Sequence, residues 1–184
     1  MSARLCPNLS RELCCEEFVT AGPPEPDRSR YLRGVTDTAE FDNAVRLATY
    51  GFFADEGRAP VAAEVARGLD VLPVQVEQSF KRLHEAHVIV LAPGTPYIWM
   101  ANPFSALPTP YSVTCGDKTY WANCIWDSLG IISMLAADGT VTSSCPDCGQ
   151  QLRVEVAGGE LKTSDYLVHY AVPAARWWDD IGFN

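Results

Sequence analysis

Trp121-Ala122-Asn123-Cys124-Ile125-Trp126-Asp127 sets a thiol and a carboxylate three residues apart, in a segment that reads as the first turn of a helix. Residues at i and i+3 share one helix face, so Cys124 and Asp127 are expected to act on the same atom. The unpaired N–H groups of a helix start bias a nearby thiol toward thiolate. A carboxylate one turn further along can take the thiol proton and hand it on. This pattern predicts a soft, metal-seeking nucleophile with a proton relay beside it. The competing reading is a cysteine packed as a small hydrophobe, which Ile125, Trp126, Leu129 and Ile131 favour. Asp127 argues the other way, because a carboxylate beside a buried face needs a partner or a role.

Outward from this stretch, the helix is predicted to run to about Ala136. Residues 111–115 and 118–120 read as strands around a Gly116-Asp117 turn. Further strands are predicted at 141–144, 152–157 and 167–172, with Gly158-Gly159 as the hairpin turn between the last two. Residues 174–181, including Trp177 and Trp178, read as a closing helix. On the other side, the proline-punctuated residues 102–110 mark a connector and subdomain boundary.

Before that connector, a helix is predicted from Asp37 or Thr38 to about Ala54, its apolar stripe carried by Phe41, Val45, Leu47, Ala48 and Phe52. Residues 61–67 and 73–86 read as two more helices, with Pro73 suited to a first turn. Residues 88–92 and 97–100 read as a hairpin. Residues 1–36 hold a short predicted helix (10–18) carrying Cys14 and Cys15, then a segment rich in Pro and Arg. The fold class is therefore α+β. It comprises an N-terminal segment and linker (1–36), a winged-helix-like helical subdomain (37–101) and a small mixed or antiparallel sheet with helices (102–184).

Composition narrows the function. The chain has 184 residues, 47% hydrophobic and 20% charged, with a formal net charge of −9. An acidic chain lacks the basic face that nucleic acid requires. The third helix offers only Lys81, Arg82 and His84, offset by Glu77 and Glu85, so no nucleic-acid partner is expected. No apolar run approaches the roughly 20 residues of a membrane span, and no signal peptide is read at the N-terminus. Seven cysteines without a secretion signal read as reduced thiols of a cytoplasmic protein.

Cys145-Pro146-Asp147-Cys148 is a knuckle of the kind that supplies half of a tetrathiolate zinc site. No second Cys-x-x-Cys exists, and Cys115, Cys14, Cys15 or His169 would have to complete it. The alternative is a tight turn with reduced thiols. Trp121, Trp126, Trp177 and Trp178 read as core, or as walls of an apolar substrate pocket over Cys124. His84 and His87 read as solvated or helix-capping, and His169 as a strand residue.

Taken together, this pattern resembles the organomercurial (alkylmercury) lyases from about Ala44 onward. The similarity rests on the helical N-terminal part, on the aromatic–Ala–x–Cys–x–x–Asp motif at 121–127, and on the Val-x-Ser-Ser-Cys-like strand at 141–145. The resemblance implies a cofactor-free enzyme that cleaves carbon–mercury bonds by protonolysis, on a small organometallic or apolar substrate, with low-molecular-weight thiols as partners. In that family the cysteine matched by Cys124 attacks mercury, and the aspartate matched by Asp127 carries the proton and contacts the metal. The cysteine matched by Cys145 is structural. A second metal-holding cysteine follows the last helix in a Phe-Cys-Cys-like segment, and Phe183-Asn184 aligns with its start. Three alternatives follow: a chain without that thiol, a sequence continuing past Asn184, or Cys148 or Cys15 in its place. The runner-up function is a non-catalytic soft-metal or small-molecule binding protein on the same fold.

Overall fold

The computed structural model describes residues 37–162 and 166–182. Cys6, Cys14, Cys15 and the helix predicted over 10–18 lie outside the described residues.

Three helices come first: α1 (Thr38–Glu56), α2 (Ala62–Leu69) and α3 (Pro73–Glu85). Each has a local reason to start where it does. The Asp37 carboxylate accepts the Ala39 N–H at 2.9 Å, which satisfies a free donor of the first turn. Glu64 accepts the Val61 N–H at 2.9 Å and binds Arg58 with both carboxylate oxygens. Gln75 accepts the Leu72 N–H at 3.0 Å, and Pro73 opens α3 as predicted. The helix α1 ends at Gly57, whose φ of +69° only glycine adopts without cost.

A three-stranded antiparallel sheet follows, in the order β1 (Val90–Leu91), β2 (Ile98–Ala101), β3 (Phe104–Ser105). The predicted connector over 102–110 thus contributes a strand. A single bridge from Phe104 to Ala122 then links this sheet to the next part of the chain. Phe104 is buried and stacks on Phe53 of α1 at 5.0 Å between ring centres.

The second sheet is antiparallel throughout and has five strands in the order β5-β4-β6-β7-β8. These are β4 (Ser112–Cys115), β5 (Lys118–Trp121), β6 (Gly139–Ser144), β7 (Gln151–Ala157) and β8 (Glu160–Leu161). Helix α4 (Ile125–Met134) leaves β5 and packs on β4 and β6. Ile131 and Ile132 of α4 are buried with Val113 and Val141 of those strands. Gly139 is forced by this packing. A Cβ there would stand 2.8 Å from Ile132 Cγ1 and 2.9 Å from Cys115 Sγ. The two sheets share one core, closed by the Tyr120 hydroxyl, which donates to the Ala54 carbonyl at 2.9 Å.

The architecture is α+β, with helices ahead of antiparallel sheets. The C-terminal predictions need correcting. Residues 167–172 form no strand; the partner of β7 across the Gly158-Gly159 turn is the two-residue β8. Both glycines have positive φ, the geometry of a tight hairpin, and the return strand pairs only with Val156 and Ala157 before the chain leaves the ladder. The closing segment is a 3-10 helix, Ala174–Asp179, rather than an α-helix. Trp178 there stacks on His87 at 4.0 Å, and His84 Nδ1 lies 3.4 Å from the Leu91 N–H. His87 is exposed, and His84 is half-buried in the last turn of α3. His169 is exposed and outside any strand.

Candidate active site at the start of helix α4

Cys124 is the N-cap of α4 rather than a member of its first turn, with φ −150° and ψ 179°. A cysteine stands where Ser, Thr, Asp or Asn is usual. Its sulfur accepts the Asp127 N–H at 3.4 Å, and its carbonyl accepts the Ser128 N–H at 3.0 Å and the Ser128 hydroxyl at 2.9 Å. That cap is what places the thiol over the third helical residue, and the third helical residue is Asp127. The Asp127 carboxylate and the thiol also act on each other's titration, the carboxylate raising the thiol and the thiol lowering the carboxyl.

Both groups are half-buried. Burial pushes the Cys124 thiol up; the Asp127 and Trp126 N–H groups pull it down, while the Asp127 charge raises it again, and the net direction is upward. This corrects the expected bias toward thiolate. Desolvation outweighs the helix-start donors, so at rest the site holds a thiol. Burial also raises the Asp127 carboxyl, against hydrogen bonds from Asn123 and Cys124 that lower it. A raised carboxyl holds a proton more readily than a solvated one.

Asn123 is a residue whose role the sequence reading missed. Its Nδ2 lies 3.2 Å from Asp127 Oδ2, 3.0 Å from Asn102 Oδ1, 3.4 Å from the Pro103 carbonyl and 3.3 Å from the Phe104 carbonyl. It thereby fixes the carboxylate against the first sheet. The four-residue spacing to Asp127 was a usable signal; the contacts with 102–104 were not visible locally. Three tyrosines also surround the pair. The phenol of Tyr111 senses the charge of Cys124, that of Tyr50 the charge of Asp127, and that of Tyr170 both. The Tyr50 hydroxyl donates to the Asn102 carbonyl at 3.0 Å.

An apolar groove of about 370 Å³ is lined by Tyr111, by Ile125 and Leu129 of α4, by residues of β6 and β7 and by residues 166–169; neither Cys124 nor Asp127 lines it. Trp121 and Trp126 do not line it. Trp126 is 64% exposed, and Trp121 is a half-buried residue of β5. Leu129, Val141, Val154 and Tyr166 supply its apolar walls instead. Cys145 sits in the same groove, 21 residues after Cys124 in sequence, and Cys148 is exposed beside it. Hydrogen bonds from the Cys148 and Asp147 N–H groups and from the Cys148 thiol draw the Cys145 thiol down. Among the described residues, no three His, Cys, Asp or Glu side chains cluster as a metal set. The four-ligand zinc site considered for Cys145 and Cys148 is therefore not assembled from them.

Residues 104–183 match the alkylmercury lyase family. The matched residues take in β3, the second sheet, α4 and the closing segment, and include Cys124, Asp127 and Cys145. No curated protein matches the chain. Among solved structures, the mercury-bound form of MerB2 matches with a TM-score of 0.54 and 23% identity, over 74% of this chain. The likeness is one of fold, and the chain spans 64% of the length of that solved structure. Among the described residues, no helix is long and apolar enough to cross a membrane.

Proposed function

We propose that the chain is an alkylmercury-lyase-like enzyme that cleaves a carbon–mercury bond by protonolysis, with Cys124 as nucleophile and Asp127 as proton carrier. The observation that supports this reading is the pairing of thiol and carboxylate at the start of α4, both half-buried, with the adjoining Ile125 lining an apolar groove.

The steps balance on these residues alone. The Cys124 thiol passes its proton to Asp127, and the thiolate displaces a low-molecular-weight thiolate from R–Hg–SR′. Mercury suits this sulfur because soft metals favour thiolate. Asp127 then delivers the proton to the carbon. The carbon–mercury electron pair becomes the new C–H bond, RH departs, and Hg(II) stays on Cys124 with the Asp127 carboxylate beside it. The raised carboxyl of Asp127 suits the middle of this sequence, where the acid must hold a proton until the carbon accepts it. The groove, lined by Tyr111 and by Ile125 next to Cys124 in sequence, suits an apolar R group. The site needs no resident cofactor for these steps, and reduced thiols of the cytoplasm would supply R′S⁻ and remove the product.

Incubation with phenylmercury and excess thiol in D2O tests the reading. Monodeuterated benzene is the expected product. Stoichiometric mercury uptake without benzene would instead assign the chain as a soft-metal binding protein on this fold.

A further inference from the structure

We propose that Cys145 and Cys148 form a second soft-metal site, a dithiol that takes Hg(II) from Cys124 after the carbon–mercury bond is broken. The hand-over rests on the lyase reading above; the dithiol site itself does not.

The loop is built to hold two sulfurs together. The Cys145 N–H donates to the Gln150 carbonyl at 2.8 Å, and the Gly149 N–H donates to the Cys145 carbonyl at 2.9 Å. Gly149 turns the chain at φ +73°. This closure sets Cys145 and Cys148 at the two ends of one tight turn, where the N–H groups of Asp147 and Cys148 and the Cys148 thiol lower the Cys145 thiol. Backbone N–H groups aimed at a sulfur stabilise its negative charge, as a metal-bound thiolate requires.

The groove joins Cys145 to the neighbour of Cys124 in sequence: Val141, Ser143 and Cys145, at every second position, line it together with Ile125. The Ser143 hydroxyl is buried without a hydrogen-bond partner, in a residue only 6% exposed. Such an orphan is costly and points to an occupant of this groove. Zinc favours four ligands, and among the described residues no third ligand clusters with the pair. Hg(II) is satisfied by two thiolates, so the pair matches the product of the proposed reaction.

The transfer balances without an oxidant. Hg(II) on the Cys124 thiolate is attacked by Cys145 and then by Cys148. Each gives up its thiol proton, and Cys124 leaves the metal and takes up one of them. The other proton goes to solvent, so the metal ends as a neutral bis-thiolate.

Site-resolved alkylation tests this in the full chain with Cys6, Cys14 and Cys15 changed to Ser. The reduced protein receives one equivalent of mercuric chloride, then iodoacetamide, and each cysteine is read by peptide mass spectrometry. Loss of alkylation at Cys145 and Cys148 together is expected, with that of Cys145 restored in Cys148→Ser. Unchanged alkylation at both, or protection of Cys145 that persists in Cys148→Ser, overturns the dithiol. A second arm uses phenylmercury. Protection that follows benzene release supports the hand-over, and benzene release without protection overturns it. If mercuric chloride protects the pair while phenylmercury releases no benzene, the dithiol stands and the lyase reading falls.

Discussion

Asp127 acts on Cys124 in two ways: its N–H donates to the sulfur at 3.4 Å, and its carboxylate raises the thiol's titration. The first favours thiolate and the second favours thiol. Burial decides between them, and the thiol is held above its ordinary value of 9. Removing the carboxylate charge while keeping the N–H should therefore lower the thiol's titration. In Asp127→Asn, the pH at which Cys124 becomes half-reactive toward iodoacetamide is expected to fall below that of the parent. An unchanged or higher midpoint would contradict that effect.

Asn123 lowers the Asp127 carboxyl by donating to Oδ2. Asn123→Ala removes that donor, so the carboxyl should rise further and lose its fixed direction. The acid limb of the pH–rate profile for benzene release is expected to move to higher pH. The maximal rate should fall by roughly 10-fold or more, since misplacing a proton carrier is costly. A profile superimposable on the parent's would remove Asn123 from the site.

Asp42 carries the clearest link between charge and stability. Burial alone would raise its carboxyl. Hydrogen bonds from Arg82, at 2.6 and 2.8 Å, and from Ser79, at 2.6 Å, win and hold it below the ordinary 3.8. A carboxyl depressed in the folded state stabilises the fold above its unfolded value, and the contribution is lost as pH falls through the depressed one. Arg82→Ala should cost about 1–2 kcal/mol at pH 7, because half-exposure of the guanidinium screens the pair. The Tm gap between parent and variant is expected to shrink below about pH 4. A constant gap down to pH 2 would refute the linkage.

Gly139 begins β6 where the strand passes Ile132 and Cys115, both buried. Gly139→Ala is expected to destabilise by about 1–3 kcal/mol through overpacking, read as a lower Tm. Gly158→Ala, with open space around its Cβ, meets strain only from φ +61°. Equal Tm for parent and Gly139→Ala would show that the core can shift to admit a methyl.

Much of this fold was legible because the deciding signals were local. Pro73 at the start of α3, the Gly116 turn and the alternation along β6 and β7 act within a few residues. The facing of Cys124 and Asp127 was equally local, although the thiol proved to be the cap rather than a residue of the first turn. What escaped were long-range effects. The apolar residues 167–172 looked like a strand, since a covering segment and a strand carry the same residue types. Trp126 looked like a pocket wall, but the register of α4 turns it to solvent and gives the groove to Ile125 and Leu129. The direction of the Cys124 shift depended on burial in the folded chain, which no local pattern reports.

The most direct test is single-turnover benzene release from phenylmercury by the parent, Cys124→Ala and Asp127→Asn under excess thiol. The parent should release benzene, Cys124→Ala should release none above the protein-free rate, and Asp127→Asn should be slower by about 100-fold or more. Release by Cys124→Ala at the parent's rate would contradict the assignment of this sulfur as nucleophile.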